Sequence, residues 1–200
     1  TRKESSAASD VYKRQDMDSA VKKEMGSQAG QLLERTFYND AIVSITGGST
    51  MAAVSESMHI LPFKTFYVPA RGGLGENVVY QANTIAASMA QQTGGDYTTL
   101  YVPDNVSEST YEMLLQEPSV RNTLDLIKQS NITVHGIGDA LKMANRRHSS
   151  KSVIEKLHHH NVAGEAFGYY FDNEGNIVHK VKTIGPVSYT HLTLPTTPYV

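Results

Sequence analysis

The chain predicts an α/β fold built on a doubly wound, mostly parallel sheet, and three observations carry that prediction. Short β-branched and aromatic runs alternate with helix-like stretches over about 100 residues, as parallel strands joined by crossover helices require. Three of the runs, Ala41 to Ile45, Thr65 to Val68 and Ile132 to Val134, are close to continuously apolar, the pattern of strands covered on both faces. Each leads into a glycine-rich turn: Thr46-Gly47-Gly48-Ser49-Thr50, Arg71-Gly72-Gly73-Leu74-Gly75-Glu76-Asn77 and His135-Gly136-Ile137-Gly138-Asp139. In such sheets ligands sit beyond the carboxyl ends of the strands, and all three turns fall there.

Residues 1–15 are small and polar without a period, so they are assigned no fold and are expected to form a non-native or disordered leader. From Met17 onward Val21, Met25, Ala29, Leu32, Leu33 and Phe37 recur at spacings of three and four, which predicts a helix with Lys22, Lys23, Glu24 and Glu34 on its other face. Gly26 and Gly30 should weaken it locally. A strand over 41–46 leads through the first turn into a helix over 49–58. A strand over 65–69 leads through Pro69-Ala70 and the second turn into a helix over 77–92, ended by Gly94-Gly95. Tyr97 to Val102 reads as a strand, and 107–115 and 118–128 as helices, with Pro118 suited to a first helical position. A strand over 132–137 follows, then helices over 140–147 and 152–159. Phe167 to Phe171 and Ile177 to Val181 flank Asp172-Asn173-Glu174-Gly175-Asn176, which is turn chemistry and predicts a hairpin. After Gly185 the sequence becomes dense in Thr and Pro with no amphipathic period. Residues 187–200 resemble translated adapter read-through, as does Val11 to Gln15, and are expected to be a non-native or disordered tail that leaves 16–186 as the domain.

Two hundred residues suit one domain, and a formal charge of −2 with dispersed Lys and Arg leaves no basic stripe for a nucleic-acid backbone. Cysteine is absent, which excludes disulfides and thiol chemistry. No apolar run approaches the roughly 18 to 20 residues of a membrane span, and the N-terminus lacks an apolar signal core. The expectation is a cytoplasmic protein with no membrane partner.

The turns carry the candidate chemistry. Gly47 and Gly48 allow close backbone approach to a ligand, and Ser49 and Thr50 place hydroxyls at a helix N-terminus, where N–H groups attract anions. The competing reading is a plain strand-to-helix turn capped by Ser49 or Thr50. Gly73-x-Gly75-x-x-Val78 departs from the dinucleotide fingerprint at its third small residue and the Walker spacing is absent, so no cofactor is expected. Arg71 leaves a strand end as a planar fork suited to a phosphate, or to a surface ion pair. Gln81 offers an amide to sugar hydroxyls, or is simply exposed. Arg146 and Arg147 add cationic donors, or complement a helix C-terminus. His135, Asp139 and Glu165 form either an acid–base set or a structural His with hydroxyl-binding carboxylates. His158-His159-His160 splay apart on a helix with no carboxylate at ligand spacing, so no metal is expected. Together these residues favour a small phosphorylated ligand, most simply a sugar phosphate.

In order and spacing, TGGST (46–50), VPARGGLGENVVYQANTIA (68–86), Gln116-Glu117-Pro118-Ser119-Val120, VHGIGDALKMANRR (134–147) and EAFGYYFDNEGNIVHKV (165–181) resemble the effector-binding domain of the central glycolytic genes regulators, which are SorC-type transcriptional regulators. The resemblance spans about residues 19–185. It implies a fold like that of sugar-phosphate isomerases and deaminases and a non-catalytic domain sensing fructose 1,6-bisphosphate or a related sugar phosphate. It also implies a repressor of glycolytic genes that reaches operator DNA through an N-terminal helix-turn-helix domain and acts as a homodimer or tetramer. By motif, the resemblance implies a phosphate-binding turn at Gly47, Gly48, Ser49 and Thr50, phosphate and sugar contacts at Arg71 and Gln81, a paired-Arg position at Arg146 and a sugar-hydroxyl carboxylate at Glu165, with Ser49 keeping the hydroxyl of the Thr found in close relatives. Against that pattern, no helix-turn-helix is expected within residues 1–16, and the family's last portion, with a late glycine-rich segment and a phosphate-binding Lys, is expected to lie outside these 200 residues. The fold is therefore expected to be truncated at its C-terminal end, leaving an unpaired sheet edge and an incomplete site. Two rivals stand beside this reading: an isomerase- or deaminase-type enzyme of the same fold using His135, Asp139 or Glu165, and a structural oligomerisation module.

Overall fold

Residues 2–73, 75, 77–104, 106–181 and 183–185 are described by a computed structural model, with side chains from residue 17 onward. The expected tail at 187–200 lies outside them. Strands β1 (Ala41–Ile45), β2 (Thr65–Pro69), β3 (Asp96–Tyr97) and β4 (Ile132–Val134) form a parallel sheet in the order β3-β2-β1-β4. The order reverses between β1 and β4, which creates the crevice where doubly wound sheets hold ligands.

Side-chain alternation assigns the helices to two layers. Val43 and Ile45 of β1 and Tyr67 of β2 pack with Leu33, Met51, Val54, Ile85 and Met89 from α1 (Arg2–Thr36), α2 (Ser49–Glu56) and α3 (Ala82–Thr93), and with Phe37 just beyond α1. Ile42, Phe66 and Val68 face Val120, Leu124 and Ile127 of α5 (Pro118–Gln129), with Leu114 of α4 (Glu108–Leu114). Pro118 does stand at the first turn of α5. A second, antiparallel sheet, β5-β6-β7-β8, comprises Gly138–Asp139, Gly164–Ala166, Tyr169–Phe171 and Ile177–Lys180. It packs with α6 (Ala140–Arg146) and α7 (Lys151–His159) around Ala144, Leu157 and Tyr170.

Several elements differ from the sequence expectation for identifiable reasons. Helix α1 starts at Arg2 rather than Met17, in keeping with the Ala, Lys, Glu, Arg and Gln of that stretch, which are good helix formers even without an apolar period. Val21, Met25 and Leu32, assigned by spacing to the packed face, are exposed, whereas Gly26, Gly30, Leu33 and Phe37 are buried. A Cβ at Gly26 would lie 2.5 Å from the Ala53 carbonyl oxygen, and one at Gly30 3.2 Å from that of Ser57. The two glycines therefore serve close contact with α2 more than they weaken α1. The helix expected over 77–92 is broken into a 3₁₀ turn at Val78–Tyr80 and α3, because the Tyr80 carbonyl accepts the Gly48 N–H (2.8 Å) and Gln81 is extended. The strand expected over 97–102 ends at Tyr97, since the Asn83 side chain bonds both N–H and C=O of Leu100. Strand β4 likewise stops at Val134. The predicted hairpin forms with β7 beginning at Tyr169, because Phe167 (φ 54°) and Gly168 (φ 84°) make a two-residue turn from the unanticipated strand β6.

Gly26→Ala should destabilise the chain by about 1 to 3 kcal/mol through overpacking, despite a helix-propensity gain of about 1 kcal/mol. Urea unfolding checks this, and equal or raised stability would contradict the backbone contact.

Candidate functional site

All three glycine turns open onto one cavity of about 210 Å³. From β1 and the N-terminus of α2 come Thr46, Gly47, Gly48, Ser49 and Thr50; from the end of β2, Arg71, Gly72 and Gly73; from the turn after β4, Gly136, Ile137 and Gly138. Gln81 starts α3, Arg146 and Arg147 end α6, and Glu165 and Phe167 reach in from the second sheet. Each of the eight residues that the sequence singles out thus lines the same space.

The α2 end is built for a negative group. Gly48 occupies the N-cap position at φ 125°, a conformation natural to glycine, and no side chain of the described residues caps the helix. Ser49 and Thr50 are the first helical residues rather than the cap, so their amides have no intrahelical acceptor. Gly47 cannot carry a side chain, since a Cβ would lie 2.5 Å from the Tyr80 carbonyl oxygen. Close backbone packing, rather than chance, keeps the turn bare.

A buried set of charges also borders the cavity. The Nε and Nη2 of Arg71 donate to the two carboxylate oxygens of Asp104, and the two side chains are 8% and 1% exposed. Nη1 of Arg71 is 3.8 Å from Oε1 of Glu165. That oxygen accepts Arg147 Nη2 at 2.7 Å and also the Gly168 N–H, which pins the β6–β7 turn. Among the described residues, Arg147 Nε and Nη1 are buried without a hydrogen-bond partner, in a side chain only 5% exposed. Tyr170 is buried beside this set; burial pushes its phenol pKa up, and the Arg147 charge opposes that shift. The Arg71–Asp104 pair is backed by the Ile184–Gly185 segment: the Gly72 N–H donates to Ile184 O, and the Ile184 N–H to Asp104 O.

A second cavity, of about 760 Å³, shares Gly73, Gln81, Arg146 and Arg147 with the first and extends past Tyr101, Asp104, His148 and His179. Sequence reasoning offered Arg147 beside Arg146 as a cationic donor or a helix-end charge, without placing it among the motif-matched site residues, and missed Asp104 altogether. The neighbouring Arg146 was the available signal for Arg147. For Asp104 there was none, because its partner lies 33 positions away.

The acid–base set does not assemble. Asp139 caps α6, accepting the Lys142 N–H at 2.8 Å, and the His135 ring packs on Phe167 at 4.8 Å between centroids. Neither lines the cavity. His160 Nδ1 lies 2.9 Å from the Lys156 carbonyl of its own helix, and no metal-binding cluster occurs among the described residues. No described helix is long and apolar enough to cross a membrane.

Comparison with known proteins gives these residues a context. Residues 8–192 match the family model described as "Putative sugar-binding domain". The central glycolytic genes regulator of Priestia megaterium (strain DSM 319 / IMG 1521) is 47% identical over 168 residues, 82% of this chain and 49% of that protein. Its Bacillus subtilis (strain 168) counterpart is 44% identical over 167 residues, with the same coverage of 82% and 49%. The chain therefore spans about half the length of the curated relatives it matches. Among solved structures, "the putative SorC family transcriptional regulator from Enterococcus faecalis" aligns with a TM-score of 0.80 and 42% identity over 89% of this chain and 73% of that one. The full-length sorbitol operon regulator SorC from Klebsiella pneumoniae shares the fold, with a TM-score of 0.74 and 16% identity over 84% and 56% of the two chains. With this fold, this family match and these relatives, the chain belongs to the sugar-binding domain family of SorC-type transcriptional regulators.

Proposed function

We propose that this chain is the effector-sensing domain of a repressor of glycolytic genes and that it binds fructose 1,6-bisphosphate or a related sugar phosphate without turning it over. The observation that carries the reading is the convergence of an uncapped helix N-terminus, three arginines and one carboxylate on a single cavity. The α2 amides, the Ser49 and Thr50 hydroxyls and Arg146 supply donors for a phosphate, while Gln81, Arg71 and Glu165 supply groups for sugar oxygens. Charge-assisted hydrogen bonds contribute about 1.5 to 3 kcal/mol each, so a few reach the roughly 4 to 8 kcal/mol of a millimolar-to-micromolar metabolite sensor after ordering costs.

Binding without turnover is favoured by Glu165, whose Oε1 is occupied by Arg147 and Gly168, and by Asp139, which is spent as a helix cap. In the longer protein, a helix-turn-helix domain would contact operator DNA in the cytoplasm. The effector would then act by favouring one packing of a homodimer or tetramer, linking sugar-phosphate level to DNA affinity.

Titration calorimetry of the chain with fructose 1,6-bisphosphate should give saturable heat, and at 100 times Kd the ligand should add about 2.7 kcal/mol to unfolding stability. No heat and no thermal shift with any sugar phosphate would reject the reading. Turnover of fructose or glucosamine phosphates would replace it with the enzyme reading. Arg146→Ala should weaken the sugar phosphate about tenfold to a hundredfold, in line with the loss of one charge-assisted contact. Its melting temperature without ligand should stay unchanged, because Arg146 is exposed.

A further inference from the structure

We propose that Asp104 is a positioning residue that converts Arg71 from an anion ligand into half of a hydroxyl-reading pair, and thereby sets selectivity for the sugar rather than affinity for its phosphate. The proposal rests on the sugar-phosphate reading above.

Three observations lead to it. First, Asp104 takes the whole Nε–Nη2 edge of Arg71, the edge a planar fork would otherwise offer to a phosphate. The carboxylate is 1% exposed and borders the adjoining 760 Å³ cavity but not the 210 Å³ one, so on a ligand in the smaller cavity it acts through Arg71. Secondly, the nearby buried charges balance, Arg71 against Asp104 and Arg147 against Glu165. This wall of the cavity therefore presents little net field to an anion, in contrast to the uncapped α2 end. Thirdly, Nη1 of Arg71 and the Glu165 carboxylate stand 3.8 Å apart, beyond hydrogen-bond reach, so the pair is not closed on itself.

A donor beside an acceptor-only carboxylate fits a group that both accepts and donates. A hydroxyl does this: its oxygen takes the Nη1 proton and its hydrogen goes to Glu165. The monoester dianion of a sugar phosphate has no hydrogen to give and would meet the carboxylate charge directly. The anion is thereby directed to α2 and Arg146, and the sugar to Arg71 and Glu165.

The experiment compares fructose 1,6-bisphosphate with inorganic phosphate on the full chain, read by calorimetry and by thermal shift. In Asp104→Asn the bisphosphate should weaken about tenfold to a hundredfold while inorganic phosphate changes by less than about threefold, or binds more tightly, because the hydroxyl pair is lost but the anion site is not. Equal weakening of both probes would make Asp104 merely structural, and no change in either would remove it from the site; both outcomes overturn the proposal. Should Asp104→Asn not fold, the neutral exchange Arg71→Met with Asp104→Leu removes both charges together, a replacement buried pairs commonly tolerate. It should show the same selective loss, and parallel loss of inorganic phosphate would restore Arg71 as a phosphate ligand and overturn the proposal. If the unaltered chain binds phosphate but no sugar phosphate, the underlying functional reading fails instead.

Discussion

The site depends on one buried ion pair, Arg71 with Asp104. Two charges taken out of water are tolerated only where geometry and further hydrogen bonds offset the desolvation cost, and the fold supplies both. Arg71 is fixed by the end of β2, and Asp104 by a loop whose N–H donates to Gly73 O and whose carbonyl accepts the Ile184 N–H. Removing one partner would strand a charge in a nearly water-free environment, so the loop after β3, the end of β2 and the segment at 183–185 are held in one arrangement. The same arrangement fixes where the remaining Arg71 nitrogen lies relative to Glu165.

Glu165 joins the two sheets. It sits on β6 of the antiparallel sheet, faces Arg71 from the parallel sheet, and binds Arg147 at the end of α6. Its hold on the Gly168 N–H stabilises a turn in which Phe167 adopts a positive φ, a conformation unfavourable for a bulky side chain. Phe167 in turn lines the cavity and packs on His135. A ligand that altered the Glu165 contacts would therefore act on the second sheet through a turn that is held under strain.

Much of this was legible in the sequence because it is local. The three apolar runs became β1, β2 and β4, the glycine turns fell at their carboxyl ends, and Pro118 opened α5. The eight candidate site residues could be picked out one by one from turn chemistry and motif resemblance, and they line one cavity. What escaped was non-local. Asp104 and Arg71 meet across 33 positions, and the two-residue strand β5 has too few positions to show alternation. The Tyr80 carbonyl that breaks the predicted helix does so by bonding Gly48, a partner no helical period reveals. The glycines of α1 were read for propensity, where their role is contact; spacing of four between Gly26 and Gly30 was the available sign of a close helix crossing.

That crossing has a mechanical consequence. Where α1 meets α2, backbone touches backbone at Ala53 and Ser57, with no flexible side chains interposed to absorb displacement. The two helices are geared together with little play, and the far end of α2 is the terminus that faces the cavity. A shift of α2 of a few tenths of an ångström is thus relayed along a rod 35 residues long, where a small tilt at one end becomes a larger sweep at the other.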